Sequence, residues 1–90
     1  MNQDAAETLA LSALAHIAAD PSLLDRFMAA SGLDAAALRR SVGDPGFLAG
    51  VLDFLMSDEA ALIGFCEASS VAHDAPGHAR ALLPGAAPDW

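Results

Sequence analysis

Ninety residues carrying twelve acids against four arginines and no lysine have a formal net charge of −8, too little clustered positive charge to displace counterions from a nucleic-acid backbone. The 54% hydrophobic share offsets the small size: a chain this short buries only about 60–65% of its unfolded surface, so a single domain over 1–90 is expected, with apolar surface left for a protein partner or a homodimer. Charge-free stretches such as TLALSALAHIAA reach about a dozen residues against the roughly 20 that cross a bilayer. The start lacks a cationic leader, and a single cysteine, Cys66, excludes an intrachain disulfide and suits a reducing interior; a cytoplasmic protein, with no membrane and no nucleic acid among its partners, is expected.

β-Branched residues are few, tyrosine is absent, and alanine and leucine recur at helical spacing, so the fold class is all-α, a compact bundle of five to six short helices. A helix start needs an acceptor for its free N–H groups, and aspartate also meets the positive end of the helix dipole. Helices are therefore placed after Asp4, Asp20, Asp34, Asp44, Ser57 or Asp58, and Asp74. The first buries Leu9, Ala10, Ala13, Leu14 and Ile17, and the second Leu23, Leu24, Phe27 and Met28. Asp20-Pro21 and Asp44-Pro45 are caps followed by proline at the first helical position. Gly32 and Gly43 suit left-handed closing positions, with Leu33 supplying the apolar contact of a Schellman ending. Leu33 and Leu38 bracket the third helix, where Arg39 and Arg40 offset the terminal carbonyls.

The fourth helix carries Phe47, Leu48, Val51, Leu52, Phe54, Leu55 and Met56 over roughly 200° at about 100° per residue. Asp53 falls nearly opposite the centre of that fan, beside Ala49 and Gly50. It is expected to face water, or to contact a partner or Arg80. The fifth helix puts Leu62, Phe65, Cys66 and Ser69 on one face and pairs with the fourth as the core hairpin, and Leu82 and Leu83 close the sixth. DPSLLDRFMAASGLDAAAL and DPGFLAGVLDFLMSDEAAL share several offsets, an echo explained equally by related helix pairs or by reuse of the same caps. The segment from about 84 to 90 lacks periodicity and is expected to be flexible unless Trp90 docks on the body.

Eight of the twelve acids fall at helix starts or in first turns, so most of the carboxylates serve folding rather than chemistry. Cys66 lies on an apolar face, where burial raises a thiol's pKa and opposes activation. His16 comes at the last turn of its helix. His73 and His78 flank DAPG with Asp74 nearby, but match neither a zincin helix nor a thiolate framework, and neither a nucleophile elbow nor a phosphate loop occurs. No cofactor, metal or catalytic residue is assigned.

The segments LALSALAHIAADP, FMAASGLD, FLAGVLDFLMSDEAALIGF and ARALLPG resemble a family of small, uncharacterised, all-helical bacterial proteins classed as a domain of unknown function. The resemblance spans nearly the whole chain. It implies an all-α fold in a bacterial cytoplasm and no activity, cofactor or catalytic residue to carry over. The first functional reading is a non-enzymatic protein-protein interaction or regulatory module, meeting an unidentified protein or a second copy, with Asp53, Arg39, Arg40 and Trp90 as candidate contacts. The alternative is a small metal binder or enzyme using His73, His78 and nearby carboxylates. Mimicry of nucleic acid by the acidic surface ranks last.

Overall fold

A helix begins here wherever a short polar side chain can accept from a free backbone N–H. In the computed structural model, which describes residues 1–84, those residues form α1 (Gln3–Ala18), α2 (Pro21–Ser31), α3 (Ala35–Ser41), α4 (Pro45–Met56), α5 (Glu59–Ser69) and α6 (Ala75–Ala81), with no strand among them. Asp20 accepts from Ser22 and Leu23, Asp34 from Ala37, Asp44 from Gly46, and Asp58 from Ala61. The first cap differs from the expected one. Asn2, as good an acceptor as aspartate, takes the Ala5 N–H at 2.8 Å, and Asp4 sits in the first turn instead. Asp74 precedes α6 but makes no side-chain cap bond, because its backbone is right-handed helical (φ −91°, ψ −6°) rather than extended as a capping residue requires.

Two of the helix endings differ from expectation as well. Gly32 is left-handed (φ 73°) and donates to the Met28 carbonyl at 2.9 Å, but Leu33 donates to the Ser31 hydroxyl, so the Schellman pair is incomplete. Gly43 is not left-handed: α3 stops through Val42 in right-handed geometry, and the Asp44 N–H closes the turn on the Ser41 carbonyl. The complete Schellman ending belongs to α5. Val71 donates to the Cys66 carbonyl and Ser70 to that of Glu67, with Ser70 held left-handed (φ 56°, ψ 41°) and Val71 packed on the core.

The core gathers around α1. Its buried stripe is Ala6, Ala10, Ala13, Leu14 and Ile17, with Leu9 only half-buried, and α1 packs most extensively on α4 and α6, then on α2. α4 turns Leu48, Ala49, Val51, Leu52 and Leu55 inward. The expected α4–α5 hairpin is therefore not the centre of the fold. Phe65 and Cys66 are the buried residues of α5, Leu62 is half-buried and Ser69 exposed. α6, through Pro76 and Ala79, is small enough to lie close on both α1 and α4. Leu83 is buried after α6, whereas Leu82 is exposed. The α5 anchor remains substantial, since burying a phenylalanine contributes about 1.5–3 kcal/mol. α3 has no fully buried residue. The radius of gyration, 12.2 Å, equals the value of about 12 Å expected of a compact chain of this length.

Two ion pairs link the helices. Arg80 Nε donates to Asp53 Oδ1 at 2.7 Å, joining α6 to α4, and Arg26 Nη2 donates to Asp58 Oδ2 at 2.8 Å, joining α2 to the start of α5. The Arg26 hydrogen bond, and after it the Ala61 N–H, hold the Asp58 carboxyl below the ordinary carboxylate range.

Ser70→Gly should raise stability by up to about 1 kcal/mol, because glycine removes the left-handed penalty without disturbing the Schellman bonds; urea unfolding measures it. For Asp58 the folded pKa is the lower one, so its ionised form favours folding above the unfolded value of 3.8 and loses that advantage as pH falls through the folded value. Wild type should therefore exceed Asp58→Asn in stability at neutral pH, with the two converging in acid, as urea midpoints taken across pH would show.

Candidate functional site

The α4 helix is apolar over a wider arc than α1 and α6 cover. Its uncovered edge, Phe47, Gly50 and Phe54, forms one wall of a groove closed on the other side by Phe27, Ala30 and Leu33, with Ser31 and Ser41 at the margins. The groove encloses about 360 Å³, within the range of about 300–1,000 Å³ typical of ligand pockets, and its floor is aromatic. Phe27 meets Phe54 edge-to-face at 5.2 Å between centroids and Phe47 at 6.0 Å. Phe27 is buried, while Phe47 and Phe54 are each half-buried. Among the described residues no carboxylate lines it.

Gly50 is the informative residue. It lies mid-helix in α4, is exposed, and a methyl group built there would meet no atom within 4 Å. Nothing among the described residues requires glycine at that position. Glycine in a helix interior costs roughly 0.5–1 kcal/mol relative to alanine, and its compensating use is close approach of another group to the backbone. The sequence reading grouped Gly50 with Ala49 as small residues beside Asp53. The structure separates them, because Ala49 turns into the core at 2% exposure and Gly50 opens on the groove.

Arg39 and Arg40 occupy the last turn of α3, both exposed, next in sequence to Ser41 on the groove margin. At about 100° per residue, Arg40 is turned about 100° and Arg39 about 200° round α3 from Ser41, and neither lines the groove. Among the described residues acids pair with Arg26 and Arg80, whereas no ion pair engages Arg39 or Arg40. Asp53 is exposed as expected, with one carboxylate oxygen taken by Arg80, itself largely buried at 15% side-chain exposure. Trp90 lies outside the described residues, as does the segment from 85 onward.

The remaining polar groups do not converge. His78 Nε2 stands 3.8 Å from Asp74 Oδ2 on an exposed turn, His73 is exposed, and no group of three potential metal ligands occurs among the described residues. Cys66 is buried, and burial, followed by the Asp74 charge, pushes its thiol pKa up, opposite to what a nucleophile needs. His16 is half-buried and stands edge-on to the Phe65 ring at 5.6 Å, so packing accounts for more of its position than the helix end does. It borders a second cleft with Asp20, Arg26 and Asp58, where the two aspartates are already occupied as caps and Arg26 by Asp58.

Among the described residues, six helices around one alanine-rich stripe, with an apolar groove and no converging set of ionisable groups, make a small all-α bundle. The chain belongs to the family described as protein of unknown function (DUF3572), whose pattern matches residues 3–86. No curated protein and no solved structure matches it. No helix among the described residues is long and apolar enough to cross a membrane.

If Gly50 is held for access rather than for folding, Gly50→Ala should stabilise the isolated protein by roughly 0.5–1 kcal/mol. A rise in thermal midpoint without change in circular dichroism is the expected result.

Proposed function

We propose that this protein is a non-enzymatic interaction module of the cytoplasm, whose Phe27–Phe47–Phe54 groove receives a segment of another polypeptide through one or two large apolar side chains. The observation that carries this reading is the open glycine on the groove wall. An aromatic floor beside an unfilled helix backbone fits a partner that presses close, as apolar anchors do when they enter a groove. Net charge −8 works against self-association at close quarters, and a groove of this size takes side chains rather than the face of a second copy.

Selection of a displayed random 12-residue peptide library on the full chain tests the reading. Binders should be enriched that lose affinity for Gly50→Leu, a variant whose added side chain has open space to occupy and fills the groove. Absence of enriched binders, or binders indifferent to Gly50→Leu, would overturn it. So would a dimer in light scattering that Gly50→Leu dissociates, or peptide binding that requires prior removal of residues 85–90, since the occupant would then be a second copy or the chain's own end.

A further inference from the structure

We propose that residues 85–90, GAAPDW, are a displaceable occupant of the groove, with Trp90 seated against Phe27, Phe47 and Phe54 until a partner's apolar anchor takes its place. This goes beyond the interaction reading above and rests on it only for the existence of that partner. The register of α6 on α4 carries the proposal. A methyl group built on Gly77 would lie 3.9 Å from Met56 Sδ. Three residues further along α6, Arg80 Nε meets Asp53 Oδ1 at 2.7 Å, three residues back along α4. The two helices therefore run antiparallel. Leu82 and Leu83 continue the last turn of α6, donating to the Ala79 and Arg80 carbonyls, and Leu83 is buried. The same step of three brings Leu83 to the level of Gly50, so the chain leaves α6 alongside the stretch of α4 that walls the groove.

The path round α4 is short. At about 100° per residue, Gly50 lies about 60° from Asp53, Phe54 about 100° and Phe47 about 120°, all in the same direction. Gly50, exposed and with no atom within 4 Å of a methyl group built there, is thus the ridge between the α6 contact and the aromatic floor. A helix with its side chains is about 10–12 Å across, so a third of its circumference is about 10–13 Å. Residues 85–90 extend to at most about 20 Å, which is enough to cross.

Their chemistry suits the crossing. Gly85, Ala86 and Ala87 carry little that would keep a segment away from a glycine backbone. Pro88 narrows the conformations open before docking and so lowers the entropy lost on docking. Trp90 brings the large apolar area that a groove of about 360 Å³ with three phenylalanines accepts. A tether this short gives an effective concentration in the millimolar range, which fills a weak site part of the time and leaves it open to a tighter ligand.

Trp90 is the single tryptophan of the sequence and reports on its own position. In the full chain its emission should lie to the blue of a free GAAPDW peptide and be less quenched by acrylamide, with neither quantity changing on dilution. Gly50→Leu, which fills the groove, should move both to the values of the free peptide while circular dichroism stays unchanged, and a peptide selected as above should do the same as it binds. Trp90→Ala should tighten that selected peptide by about two- to tenfold, because the site no longer has to be vacated; this arm does not depend on the groove variant. Free-peptide emission in the parent, protected emission that Gly50→Leu leaves in place, or an affinity that Trp90→Ala leaves unchanged would overturn the proposal while the groove reading stands. A protection lost on dilution would overturn it too, since Trp90 would then dock on a second copy. A selection without binders beside a protected, Gly50-sensitive Trp90 would instead defeat the partner reading and support residues 85–90 as the occupant.

Discussion

The structure depends on α1 presenting methyl groups where a helix more often presents leucine. Ala6, Ala10 and Ala13 are spaced on one stripe and are fully excluded from solvent, so the neighbouring helices must approach closely enough to cover a side chain of one carbon. α4 and α6 are the helices that pack most extensively there. Each brings what such an approach permits: α6 offers Pro76 and Ala79, and α4 supplies the larger Leu48, Val51, Leu52 and Leu55 that fill the space on either side.

That close seating fixes which part of α4 is left over. While α4 packs most extensively on α1 and α6, its edge through Phe47, Gly50 and Phe54 meets, among the described residues, the α2 end, Leu33 and Ser41 of the short α3 across the groove. α2 reaches it through Phe27, but α3 buries nothing fully and leaves a gap above Gly50. The groove is thus a consequence of a wide apolar arc meeting too few neighbours. Its retention in a small domain, where each buried side chain contributes a sizeable part of a marginal stability, is the reason to assign it a use.

Much of the scaffold was legible from residue types alone. Asp20, Asp34, Asp44 and Asp58 cap helices because the rule behind them is local: an acceptor, the right backbone, and a free N–H two or three residues on. Where local chemistry is degenerate, residue types alone do not decide. Asn2 and Asp4 are equally able to begin α1, and Gly43 and Ser70 exchanged the roles that glycine statistics would give them, because a left-handed ending depends on how the following chain is seated, which no short segment encodes. The apolar faces of α4 and α5 suggest a core hairpin, whereas the actual preference of α4 for α1 reflects the α1 alanines, which look ordinary in a composition of this kind. The repeated Asp-Pro and Asp-x-Ala-Ala-Leu pattern is met in the structure by two different fates, a peripheral α2–α3 and an α4–α5 of which α4 is central. The groove was not legible: a 200° apolar arc reads as a deeply embedded helix, and the aromatic partner of α4 on α2 is a long-range contact.

The central claim, close packing on the α1 alanine stripe, is tested most directly by urea unfolding of Ala10→Leu beside Ala15→Leu, the latter on the exposed side of the same helix. Overpacking should cost Ala10→Leu about 1–3 kcal/mol or more while Ala15→Leu stays within about 0.5 kcal/mol of the parent. Equal stability of the two variants would mean that α4 and α6 do not lie against α1 at methyl distance, and the account of the uncovered α4 edge would lose its basis.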